Sequence, residues 1–251
     1  MPLFATIWPW IGLGACAILI LLLVAGDGLQ ADRRISRWQD MAWLTWLGVA
    51  AYLLHQFEEH GIDLFGHSYA FRGEACMVLG FRDAVSCPVP FSYITAVNVV
   101  SVWGAGLIAA LAAPRRPLIG LSFFAIPFVN LFAHLGPMLM QRHYNPGLLS
   151  AVLVFLPLSV WALLVAVRRY GAGMSGVLAV VLGGLIMNGV MIGSLVAYVN
   201  GWFSEAVLVG IQIPNTFVPA GLMWLMTRQR VVVPPTPAPA SKPRRAPKAV
   251  G

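Results

Sequence analysis

Apolar residues along this chain gather into seven runs. Each approaches the roughly 20 residues a helix needs to cross about 30 Å of hydrocarbon. The runs cover residues 3–25, 41–59, 91–113, 118–140, 147–167, 174–199 and 207–226. The second is the weakest, because it reaches full length only if His55, Glu58 and Glu59 lie inside it. This pattern predicts an all-α, polytopic transmembrane bundle of about seven helices over 1–230, with one long outer loop at 61–90. A Pro-rich basic tail at 231–251 is expected to be disordered.

The polar intervals set an orientation. Arg33, Arg34 and Arg37 fall between the first two runs, Arg115 and Arg116 between the third and fourth, and Arg168 and Arg169 between the fifth and sixth. Further Lys and Arg crowd the tail. The positive-inside rule puts these intervals in the cytoplasm, hence the N-terminus outside and the C-terminus inside. The 61–90 loop then faces outward. It holds Cys76 and Cys87, for which an outer compartment permits a disulfide and two free thiols are the other reading.

Composition agrees with a membrane chain: 59% of residues are hydrophobic and 10% charged, against about a quarter charged in soluble domains. The net charge of +7 belongs to short loops and the tail, which reads as membrane topology and not as nucleic-acid binding. Few Lys beside many Ala, Arg and Gly suit a GC-rich bacterium and its cytoplasmic membrane.

The chemistry lies in His55-Gln56-Phe57-Glu58-Glu59-His60. On a helix, positions i, i+3 and i+4 share a face, so His55, Glu58 and Glu59 project together. At 1.5 Å per residue, His55 lies about 21 Å, His134 about 24 Å and Asn188 about 21 Å from the inner surface. Asn98, Gln212 and Asn215 lie about 8–12 Å from the outer one. All fall in one layer of the outer leaflet. The expectation is a polar pocket enclosed by the second, third, fourth, sixth and seventh helices, with the first and fifth facing lipid. Asn98, Asn188, Gln212 and Asn215 are read as substrate-binding or as glue between helices. Ionisable groups at this depth need partners and usually mark function.

His55-Gln56-Phe57-Glu58-Glu59, followed by His134 and a Tyr144–Gly147 turn, resembles the signature of the HXXEE family of bacterial multi-pass membrane proteins. The resemblance implies a membrane protein with a His/Glu site and carries over no activity.

Three chemistries follow from the cluster. His55, Glu59 and His134, with His143 as a fourth, can ligate a divalent metal, zinc or iron, with Glu58 as general base. Such a site would serve a metal-dependent hydrolase or oxygenase acting on a lipid or other apolar substrate. Alternatively, Glu58 or Glu59 transfers protons without metal, as in an isomerase or cyclase. A transporter or assembly protein is the third reading, disfavoured by the lack of repeat symmetry.

Overall fold

In a computed structural model the described residues are 3–82 and 86–227; the expected tail at 231–251 lies outside them. Eight helices follow in chain order: α1 (Leu3–Ala25), α2 (Met41–His60), α3 (Ala70–Val78), α4 (Phe91–Ala112), α5 (Pro117–Gln141), α6 (Leu148–Tyr170), α7 (Gly173–Val199) and α8 (Glu205–Thr227). No β-strand occurs among the described residues. Every helix but α2 and α3 is long and apolar enough to cross a membrane, giving six candidate spans. The chain is a multi-pass membrane protein.

The exception, α2, is the centre of the bundle. Fourteen of its 20 residues are buried, including His55, Gln56, Glu59 and His60, against six of 23 in α1. A helix enclosed by protein is not required to be apolar, because its polar groups meet other side chains and not lipid. This is why the least hydrophobic run carries the chemistry.

Local signals start and stop the elements. The Asp40 carboxylate accepts the Trp43 N–H at 2.9 Å, capping α2, and also accepts the N–H groups of Ala31 and Asp32. The Leu23 carbonyl at the end of α1 accepts from Arg37 (2.8 Å) and from the Trp43 indole (3.2 Å). The backbone widens into π-helical turns at Ala96–Trp103 in α4 and Ala151–Phe155 in α6. Such turns are frequent beside functional sites.

The loop expected over 61–90 contains α3 and a disulfide between Cys76 and Cys87, whose Cα atoms are 5.7 Å apart. Both sulfurs pack with Trp8, Val89, Tyr93, Ile94 and Leu208, so the loop folds over the ends of α1, α4 and α8. Arg72 of α3 donates to the carbonyls of Cys87 (2.9 Å) and Val89 (3.0 Å), tying the helix to the segment beyond the bridge.

Candidate metal centre

His55 and Glu59 stand one turn apart on the buried face of α2, and His134 reaches them from α5. The imidazole centroids of His55 and His134 are 4.9 Å apart. Glu59 lies between them, with Oε2 3.5 Å from His55 Nε2 and Oε1 3.7 Å from His134 Nε2. One ligand atom from each residue falls within 4.8 Å of the others, and all three side chains are buried. Ligands about 2.0–2.1 Å from one ion at tetrahedral angles would be roughly 3.3–3.5 Å apart; the two Glu59 contacts come near that spacing, and gaps of up to 4.8 Å within the group would have to close on an ion.

Hydrogen bonds fix which nitrogen of each imidazole faces inward. Asn145 donates its amide to the His134 carbonyl at 3.0 Å, which turns its Oδ1 toward His134 Nδ1 at 2.7 Å. Nδ1 of His134 is therefore the protonated nitrogen, and Nε2 carries the lone pair. That Nε2 is buried and has no hydrogen-bond partner. On α6, the Ser150 hydroxyl donates to Glu58 Oε2 and so accepts from His55 Nδ1 at 2.9 Å, directing His55 Nε2 inward as well. Glu59 is held in turn by His60 Nε2 at 3.1 Å. Each of the three ligand candidates thus has its own orienting partner, the arrangement that fixes metal-ligating side chains. An orphaned buried nitrogen is costly alone and satisfied by an ion.

Gly147 makes the approach of the two imidazoles possible. A Cβ there would lie 2.7 Å from Cε1 of both His134 and His55, and its backbone is left-handed at φ +92°. Only glycine accommodates both conditions.

Glu58 has another place than the general base of the sequence reading. Its carboxylate accepts Tyr144 Oη (3.0 Å), the N–H of Leu149 (3.0 Å), and the N–H (2.8 Å) and hydroxyl of Ser150. It caps the N-terminus of α6 from α2, where a negative charge meets the unpaired N–H groups and the helix dipole. Burial, joined by the charge of Glu58, pushes the Tyr144 phenol above its ordinary pKa, so it stays a donor.

The other expected site residues do not converge here. His143 is exposed beyond the end of α5 and outside the three-residue group. Asn98 accepts from Gln56 at 2.8 Å, on a different face of α2 from His55, and the Trp103 indole donates to the same Gln56 at 2.6 Å. Asn188 donates to the Gly184 carbonyl of its own helix. Gln212 and Asn215 join α8 to α7 through Ser194 (3.2 Å) and the Met187 carbonyl (3.1 Å). These are bonds within and between helices. Nor does the fifth span merely face lipid, because the first turn of α6 supplies Ser150.

Four residues around the cluster escaped the sequence reading. Asn130 of α5 donates to His55 Nε2 at 2.9 Å and to the Tyr52 hydroxyl at 3.3 Å. It lies one turn before His134, a spacing that could have drawn attention to it. Asn145 stands in the Tyr144–Gly147 turn already noted, though not as a site residue, and Ser150 carries no such signal. Glu74 of α3 lies in the electrostatic reach of His143 and His134; burial pushes its carboxyl up while those imidazoles oppose the shift.

Residues 46–162 match the family described as "Protein of unknown function with HXXEE motif". This segment is an HXXEE-motif domain. His55, Glu58 and Glu59 are its motif residues, and the domain also contains His60, Asn130, His134, Asn145, Gly147 and Ser150. The whole cluster and its supports therefore lie within the matched segment. No curated protein and no solved structure matches the chain.

Proposed function

We propose that this HXXEE-motif protein is an integral membrane metalloenzyme that holds one divalent ion, zinc or iron, between His55 Nε2, Glu59 and His134 Nε2. The observation that carries the reading is the pair of oriented imidazoles, both with Nδ1 engaged and Nε2 turned toward one carboxylate, one of them lacking any other partner. Two imidazoles and a carboxylate with an open position form the donor set of catalytic zinc and of non-haem iron. Such an ion supplies Lewis-acid activation of water or binding of oxygen. The protein's own part is to orient the ligands, through Ser150, Asn145 and His60, and to keep bulk water out. A site buried among lipid-embedded helices suits a lipid or other apolar substrate, acted on as in a hydrolase or oxygenase.

The orientation with the N-terminus outside rests on the loop charges, and the Cys76–Cys87 bridge supports it, since disulfides persist in oxidising compartments. The composition favours a bacterial cytoplasmic membrane.

One observation favours a second reading, metal-free proton transfer by Glu59. Asn130 already donates to His55 Nε2, and an ion there requires that amide to turn away. Elemental analysis of the detergent-purified protein separates the two. Stoichiometric zinc or iron, lost in His55→Ala and His134→Ala while the fold persists, is the expected result. Metal-free wild-type protein after supplementation with both ions overturns the metalloenzyme and leaves the acid–base reading.

A further inference from the structure

We infer that the cavity at the end of α5 seats the headgroup of an anionic phospholipid, beside the His55–Glu59–His134 site. This rests on the reading above that the chain acts on a lipid, and names the substrate class.

The cavity has a volume of about 570 Å³ and is lined by Met138, Leu139, Arg142, His143, Tyr144 and Leu148. Its walls divide by chemistry. Met138, Leu139 and Leu148 form an apolar side on α5 and the first turn of α6, while Arg142, His143 and Tyr144 form a polar side in the link between them. Leu139 is 65% exposed, so the apolar side opens onto the outer surface of α5, a candidate membrane span.

Arg142 supplies the charge. It ends α5 in the left-handed conformation, φ +58°, its N–H on the Met138 carbonyl at 2.8 Å. That position ordinarily belongs to glycine or asparagine, so the backbone does not call for arginine and the side chain must be explained otherwise. Among the described residues no hydrogen bond or ion pair engages its guanidinium. His143, by contrast, lies within electrostatic reach of Glu74. An unpaired guanidinium at a membrane surface matches phosphate with two parallel N–H donors, while the adjacent apolar wall takes the first methylenes of the acyl chains. The two nearby carboxylates are already engaged with other lining residues, Glu58 with the Tyr144 hydroxyl at 3.0 Å and Glu74 through the charge of His143, which leaves the guanidinium as the group that a phosphate would pair with.

Its place next to the metal centre gives the cavity a purpose. Met138 is one turn beyond His134 on α5, and Leu148 follows Gly147, which packs against both imidazoles. A lipid whose phosphate is held at Arg142 presents its glycerol region to the wall of the site.

The test is binding of dioctanoyl phosphatidic acid, dioctanoyl phosphatidylcholine and inorganic phosphate to the detergent-purified full chain by titration calorimetry, with metal content measured on the same samples. Phosphatidic acid should bind at least about tenfold tighter than either of the others, and Arg142→Gln should erase that preference without changing metal content. Equal binding of phosphatidic acid by wild type and Arg142→Gln overturns the inference, as does equal binding of phosphatidylcholine. Inorganic phosphate binding as tightly as the lipid overturns it in favour of a free-anion site. Arg142-dependent lipid binding by a metal-free protein would sink the metalloenzyme and leave the lipid site standing; a stoichiometric metal with no Arg142 effect would do the reverse.

Discussion

The hydroxyl of Ser150 lies 2.9 Å from Nδ1 of His55, across 95 residues of chain. Because that hydroxyl gives its own proton to Glu58, a carboxylate, a hydroxyl and an imidazole form one directed row from α2 to α6 and back. The row decides which nitrogen of His55 is left to bind a ligand.

Ser150→Ala removes that support while sparing the ligands. Loss of such an orienting partner typically weakens metal affinity about 10- to 100-fold. Chelator competition on the purified protein should show a drop in that range. Unchanged affinity would mean that His55 does not depend on Ser150 for its orientation.

Gly147→Ala places a methyl group against both imidazoles, with Cβ 2.7 Å from each Cε1, on a backbone at φ +92°. The strain and the overpacking should together cost about 2 kcal/mol or more, and metal occupancy should fall because the imidazoles are pushed apart. A variant with wild-type thermal stability and metal content would contradict the tight packing at this residue.

Glu58→Gln separates anchor from base. A neutral amide keeps one acceptor oxygen and loses the charge that meets the start of α6. Detergent-solubilised protein should lose roughly 1–3 kcal/mol of stability, with metal still bound. Abolished turnover on an identified substrate, at unaltered stability, would instead restore Glu58 to the chemistry.

The 61–90 loop should be acid-sensitive through Asp63. Burial would raise its carboxyl pKa, but the His67 N–H and imidazole and the Phe65 N–H outweigh it, and the folded value lies below the ordinary 3.8. A depressed carboxyl pKa gives stability that is present above the unfolded value and is lost as pH falls toward the folded one. Hydrogen exchange of residues 61–69, taken relative to the rate of an unstructured chain at each pH, should therefore accelerate between about pH 5 and pH 3. In Asp63→Asn this acceleration should be absent; an identical profile in the variant would remove Asp63 as its cause.

The sequence by itself determined the helical membrane class, because hydrocarbon thickness imposes a run length that composition must obey. It also brought out His55 and Glu59 as neighbours, because four residues return to the same face of any helix. Depth along the helices drew attention to His134, and equally to Asn98, Asn188, Gln212 and Asn215. There the reading ended: a residue count gives height in the membrane and says nothing of the direction in which a side chain points around its axis. That direction is set by how whole helices pack. Packing turned His134 toward α2, aimed Asn98 at Gln56, and kept Gln212 and Asn215 between α7 and α8. The same packing recruited Ser150 and Asn145, ordinary polar residues whose role exists only once a histidine from elsewhere in the fold is brought within hydrogen-bonding distance.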